Sequence, residues 1–151
     1  MSNINHELLN IIWFKRDLRL HDHRPLCEAI QANEPTLLLY IFEPSVQQYP
    51  DWNIRHWRFV WQSLQVINEQ LRPFNTRVHI FYDEVIPVFE YLIKTEPIKT
   101  VFSYQEIGTK VTFDRDKAMN RFFKKHQIIE IMNTAKSGLQ LMIAISCSYY
   151  F

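Results

Sequence analysis

Glycine is nearly missing: Gly108 and Gly138 are the two in 151 residues. A loop that cradles phosphates needs clustered glycines, so neither a P-loop nor a GxGxxG dinucleotide fingerprint can be present. A surplus of one charge is missing too. Seventeen Lys and Arg stand against sixteen Asp and Glu, a net +1. That excludes a strongly basic nucleic-acid module and an acidic tail, and leaves any DNA contact to a local patch. Cys27 and Cys147 form no CxxC pair and no disulfide framework. They read as isolated thiols, small buried hydrophobes in a reducing cytosol. No run reaches the ~18 apolar residues that span a bilayer, and the opening MSNINHELLN has no apolar signal core. The expectation is a cytoplasmic protein with no membrane segment.

What is present is an ordinary globular composition, 47% hydrophobic and 22% charged, with a high 15% of aromatics. The length suits one domain, which buries roughly 70% of its unfolded surface. Most of the aromatic rings belong in that core.

Four apolar runs have strand length: Ile11–Phe14, Thr36–Phe42, Val78–Phe81 and Ile98–Phe102. A fifth, Ile128–Met132, is weaker. They read as continuous rather than alternating, which suits parallel strands covered on both faces. Between them lie helical patterns. Pro25 follows Asp22 and His23 as a helix start, with Leu26, Ala29 and Ile30 inward. From about Asn53 to Leu71, Trp57, Val60, Leu64, Ile67 and Leu71 form an amphipathic stripe, which Pro73 stops. Asp83 is expected to cap a third helix whose Val85, Val88, Phe89 and Leu92 point inward and which ends before Pro97. A fourth covers roughly Val111 to His126, with Ala118, Met119, Phe122 and Phe123 on its apolar face. Strands alternating with helices predict a parallel five-stranded, doubly wound, three-layer α/β sheet, Rossmann- or flavodoxin-like. Ligands in such folds sit outside the carboxyl ends of the strands, at a switch in strand order. Those ends are residues 15–23, 43–51, 82–84 and 103–110.

The first of these ends is the most informative. After Phe14 come Lys15, Arg16, Asp17, Arg19, His21, Asp22, His23 and Arg24, with Leu18 and Leu20 to pin the loop. Interleaved Arg and Asp can pair with one another, burying Arg16 and Arg19 in part and leaving guanidiniums fixed for a planar or anionic ligand; a salt-bridge lattice that only shapes the loop is the plainer reading. His21 and His23 lie two apart, poor metal geometry without a third ligand, so no metal is assigned. Trp52, Trp57 and Trp61 recur at roughly helical spacing and read as core. The basic face from Lys110 to Lys125 is a solvated face before it is a DNA patch. No Ser-His-Asp arrangement is legible, and no catalytic residue is assigned.

The same stretch resembles the photolyase/cryptochrome family, whose members open W-F-R-R-D-L-R and continue to an L-x-D-N or D-H helix start. Trp13, Phe14, Arg16, Asp17, Leu18, Arg19, Leu20, Asp22, His23, Pro25 and Leu26 match, with Lys15 where Arg is common. Ile41-Phe42-Glu43-Pro44 resembles the family's second strand end, and Trp57-Arg58-Phe59 with Ser63-Leu64 its following helix. Ser103-Tyr104-Gln105-Glu106 with Asp114-Arg115-Asp116 resembles the segment after the fourth strand. The resemblance covers roughly residues 10–130 and implies the N-terminal α/β domain that holds an antenna chromophore: a deazaflavin, a flavin or a folate. It implies Arg16, Asp17, Arg19, Phe42, Glu43, Gln105 and Glu106 as the cofactor-binding set. The folate type places an Asn-Glu pair where this chain has Val111-Thr112, so folate is the poorest fit. Family members carry FAD and the pyrimidine-dimer pocket in a second, helical domain. FAD, DNA contact and repair by a photolyase-type lyase are therefore not expected of these 151 residues alone.

The expected organisation is a tail over 1–9, the α/β domain over 10–132 and an apolar tail over 133–151 that departs from the family pattern. A disrupted gene, a short paralogue and an extra edge strand all suit that tail. Charge-free after Lys136, it is also expected to mediate self-association. Two rival functions stand beside the antenna reading: a docking module, and a nucleotide-binding α/β domain.

Overall fold

The computed structural model describes residues 8–50 and 52–134. The tail expectations, including self-association, and Cys147 lie outside the described residues. The strands are β1 (Leu9–Phe14), β2 (Thr36–Phe42), β3 (Val78–Tyr82), β4 (Ile98–Tyr104) and β5 (Ile129–Asn133). The helices are α1 (Arg24–Gln31), α2 (Pro44–Gln47), α3 (Ile54–Leu71), α4 (Val85–Thr95) and α5 (Lys110–Lys125), with a single 3₁₀ turn at Arg72–Phe74. The sheet is parallel throughout, in the order β3-β2-β1-β4-β5. From β1 the chain winds one way to β2 and β3, then crosses back to β4 on the other side of β1. The strand order therefore reverses between β1 and β4.

Each strand sends alternate residues to opposite layers. Ile11, Trp13, Leu39, Ile41 and Val101 meet Val85, Val88, Phe89 and Leu92 of α4 and Met119, Phe122 and Phe123 of α5. Ile12, Phe14, Leu38, Tyr40, Phe42 and Phe102 meet Leu26 and Ala29 of α1 and Leu64, Ile67 and Leu71 of α3. Two apolar layers on one sheet explain why the central strands read as continuous hydrophobic runs.

The helix ends show local chemistry at work. Asn53 caps α3: its Oδ1 accepts from the Arg55 N–H at 3.0 Å, and the His56 ring accepts from the Asn53 N–H at 3.2 Å. The expected Asp83 cap falls one residue early. Glu84 holds the cap position, Asp83 Oδ1 accepts from the Glu84 N–H at 2.7 Å, and the Glu84 carboxylate accepts instead from the backbone and hydroxyl of Ser45, both at 2.8 Å. With so little glycine, Asp22, Asn33, Asn75 and Gln127 take the left-handed turns, at φ from 50° to 58°. Of the α3 stripe, Leu64, Ile67 and Leu71 are buried while Trp57 and Val60 pack at its margin. Trp61, expected in the core, is half exposed. Cys27 is buried and is not a free thiol, which corrects that part of the expectation. Among the described residues no helix is long and apolar enough to cross a membrane.

Phe89 ties α4 to the sheet and to α5, with its ring edge-on to Trp13 at 5.7 Å and to Phe123 at 5.1 Å between centroids. Phe89→Ala is expected to lower unfolding free energy by about 3–5 kcal/mol, read from urea denaturation.

Candidate functional site

The β1–α1 loop is organised by Asp17. Its Oδ1 accepts from the Lys15 backbone N–H at 3.0 Å, and its Oδ2 is hydrogen-bonded to Nε2 of His23. His23 is buried, and its Nδ1 accepts from the Leu26 N–H at 3.1 Å at the start of α1. An accepting Nδ1 carries no proton, so Nε2 bears it and donates to Asp17. Burial pushes the Asp17 carboxyl up, but the His23 hydrogen bond and the backbone N–H groups outweigh it and hold the carboxyl below its ordinary value.

With Asp17 committed to His23, the expected Arg–Asp pairing within the loop does not form. Arg19 is exposed, and its Nε donates to the Asp22 carbonyl at 3.1 Å rather than to a carboxylate. Arg16 is also exposed rather than partly buried. It pairs across the crevice with Glu106 at 2.7 Å and lies 4.9 Å from the Trp52 ring centroid.

Beneath Arg16 sits a buried charge network. Arg115, in the second turn of α5, donates to Glu43 at 2.6 Å, to Glu106 at 2.8 Å and to Asp116 at 2.9 Å. Lys15 Nζ donates to both oxygens of Asp116 at 3.0 and 3.1 Å. Lys15 and Arg115 both lie over the ring of Trp13, at 4.3 and 5.1 Å from its centroid. With Arg16, three cations meet three carboxyl groups, so the charges balance when all three carboxyls are ionised. Burial pushes the Glu43 carboxyl up to about 7 despite Arg115. Burial, followed by the neighbouring charge of Arg115, lowers the Lys15 ammonium. For Arg115 burial works the other way, but its three carboxylates hold the guanidinium above its ordinary value.

The elements around this network leave a cavity of about 280 Å³ between the carboxyl ends of β1 and β4, where the strand order reverses. Lys15, Arg16, Asp17, Arg19, Tyr104, Gln105, Glu106 and Ile107 line it. Five of the seven predicted residues are thus gathered there: Arg16, Asp17, Arg19, Gln105 and Glu106. Glu43 lies one layer deeper, in a cleft of only about 30 Å³ walled by Trp13, Tyr40, Trp52, Trp57 and Arg115. Phe42 is not brought to the cavity. It faces α3, packed on Tyr40, Trp57 and Trp61 at 4.9–6.4 Å between centroids. Tyr104 is fixed by the Arg24 N–H, which donates to its hydroxyl at 3.1 Å. The lining offers guanidiniums, carboxylates already paired, an amide and a phenol, a set that orients a planar polar ligand.

Sequence reasoning did not single out Lys15, Tyr104, Arg115 or Asp116 as site residues. A signal for Asp116 exists: Thr112, Asp116, Met119 and Phe123 recur at helical spacing and are all buried, so a charged residue lies on the inward stripe of α5.

Comparison with known proteins adds the family. The DNA photolyase family model matches residues 10–135. Cryptochrome-1 of Macaca fascicularis is 28% identical over 138 residues, which cover 91% of this chain and 22% of that protein. The archaeal photolyase of Sulfolobus tokodaii, described with two FAD molecules and an implied light-harvesting cofactor, superimposes with a TM-score of 0.73 at 20% identity over 84% of this chain and 29% of its own. The cryptochrome of Synechocystis gives a TM-score of 0.72 at 23% identity, over 87% and 28%. This chain belongs to the DNA photolyase family, and it spans about a fifth of the length of the curated relatives it matches.

Two outcomes follow from the network. Arg115→Met leaves three carboxylates around a missing cation and is expected to cost roughly 3–5 kcal/mol in urea unfolding. Glu43 supplies a pH dependence. Its folded value near 7 exceeds the ordinary 4.5, so the folded state binds the extra proton between them. Its contribution to stability is present below about 4.5 and is lost as pH rises through about 7. Glu43→Gln is expected to flatten that slope when unfolding is measured between those limits.

Proposed function

We propose that this chain is the antenna-chromophore domain of a photolyase/cryptochrome-like protein, holding a planar heteroaromatic ring in the cavity between β1 and β4. The observation that carries the reading is the gathering of Arg16, Asp17, Arg19, Gln105 and Glu106 around one cavity at the strand-order reversal. The fit is to a ring system and not to a whole dinucleotide. About 280 Å³ is near the lower limit of small-molecule pockets. The exposed guanidiniums of Arg16 and Arg19 border it and suit an anionic side chain left outside. That favours a flavin or deazaflavin. Val111 and Thr112 stand where the folate type has its Asn-Glu pair, which argues against folate.

When bound, the chromophore supplies light absorption and excitation transfer to a second flavin. This chain's own residues supply position and a fixed electrostatic surround. Tyr104, anchored by Arg24, forms one wall. Asp17 and His23 hold the β1–α1 loop in place. The paired carboxylate of Glu106 presents a fixed acceptor edge. Light-driven repair of pyrimidine dimers in DNA, or blue-light signalling, belongs to the whole protein in this reading. The light-harvesting cofactor implied for the Sulfolobus tokodaii photolyase supports it.

Titration of the purified chain with riboflavin, a deazariboflavin and methenyl-tetrahydrofolate tests this. Saturable quenching of flavin or deazaflavin emission is expected, with folate the weakest. Ile107→Asp, which puts a charge in the cavity wall, should weaken flavin binding by about tenfold or more. No saturable binding by any of the three sinks the reading.

A further inference from the structure

One side chain joins three strand-end loops. Arg16 rises from the β1–α1 loop, pairs with Glu106 of the β4–α5 connection at 2.7 Å, and lies over Trp52 from the segment between β2 and α3. Gly108 completes its seat. A methyl group there would lie 3.1, 3.2 and 3.3 Å from Nη2, Nη1 and Cζ of Arg16. Three near-equal distances place Gly108 over the guanidinium face, so close that a side chain there would push Arg16 aside by a few tenths of an ångström.

Arg16 is also a shared wall. With Lys15 and Glu106 it lines both the outer cavity and the inner cleft. The inner cleft holds about 30 Å³, room for one water, and the rings of Trp13, Tyr40, Trp52 and Trp57 share its walls with Glu43, Glu106 and Arg115. Lys15 is buried and tied to Asp116, and Glu106 is 5% exposed and held by Arg115 as well. Arg16 is 46% exposed, with one carboxylate and one ring as partners in this crevice. Only the Arg16 end of that pair is open to water, and Glu106 keeps Arg115 as its partner when Arg16 swings out. Arg16 is thus the least firmly held member of the wall that the two cavities share.

We propose that Arg16 is a displaceable latch across the crevice, and that the chromophore ring binds by taking the guanidinium's place against Trp52, Gly108 and Glu106. The guanidinium itself defines the ligand chemistry: a flat, delocalised group whose N–H edge donates to a carboxylate. The imide of a flavin or deazaflavin shares one part of that character: its single N–H can donate to the Glu106 carboxylate, with a carbonyl acceptor on either side, whereas a ring with only acceptors at its edge has no donor to offer there. The inference rests on the chromophore reading above and adds the way in and the ring's seat.

Riboflavin titration of the full chain, followed by flavin emission, tests it. Arg16→Ala is expected to bind about tenfold more tightly than the unaltered chain, because the ligand no longer displaces a pair and a stacking contact. Trp52→Leu added to Arg16→Ala should abolish that gain, and Gly108→Val should block binding in either background. Equal or weaker binding by Arg16→Ala overturns the latch while leaving the chromophore reading intact. If neither form binds riboflavin, a deazariboflavin or methenyl-tetrahydrofolate, the chromophore reading fails and the ring's seat with it. The latch is then judged without ligand, by acrylamide quenching of the emission that Trp52→Phe removes. Greater quenching in Arg16→Ala supports it, and no change overturns it.

Discussion

The carboxyl end of this sheet is organised by Arg115 and the three carboxylates it bonds. Its guanidinium reaches Glu43 after β2, Glu106 after β4 and Asp116 on its own helix, while Asp116 takes the ammonium of Lys15 after β1. Three strands and α5 are thereby fixed to one another at the point where a doubly wound fold opens its crevice. Hydrophobic packing cannot supply this positioning, because it is non-directional and tolerates small slides. Charge-assisted hydrogen bonds at 2.6–3.1 Å have direction. Burying charges is costly, and the cluster meets that cost by being neutral and by leaving each carboxylate at least one N–H donor.

Scarce glycine shapes the rest of the crevice. The chain cannot form a glycine-rich phosphate cradle, so its anion-directed groups are side chains, Arg16 and Arg19, on a loop stiffened by Leu20 and by the Asp17–His23 bond. Left-handed turns elsewhere fall to Asp22, Asn33, Asn75 and Gln127, whose polar side chains tolerate them. Gly108 lies against the guanidinium of Arg16, where a Cβ would crowd it.

The layers of the fold were legible because burial on both faces leaves a direct mark: Leu37–Phe42 is an unbroken apolar run inside β2, and Ile98–Phe102, though Lys99 and Thr100 interrupt it, is strand throughout. The location of the site was legible too, since it follows from the order of strands and helices. Its wiring was not. Arg16 pairs 90 positions away, with Glu106, rather than with the adjacent Asp17. Local spacing cannot report a partner that only the crossover from β1 to β4 brings near. Asp17 was read as a partner for arginine, whereas the neighbour that claims it is His23, delivered by the turn at Asp22. Phe42 misled for a related reason. It ends β2 as Glu43 begins the loop, and the pleat sends it to α3 while Glu43 goes to Arg115.

A neutral but strongly polar cluster has a further physical consequence for what lies above it. Lys15 and Arg115 both sit over Trp13, so the ring beneath the crevice faces two fixed cations. Fixed charges do not reorganise as water does when a neighbouring chromophore is excited. In bulk solvent, dipoles relax around an excited ring and drain its energy; beside this cluster the inner cleft has room for about one water. The surround is then set by hydrogen bonds already formed, which is the kind of environment that keeps a ring in one orientation with one excitation energy. The same bonds that order the strand ends thus produce the rigid, nearly dry floor that an antenna site requires, so fold and proposed function draw on one interaction.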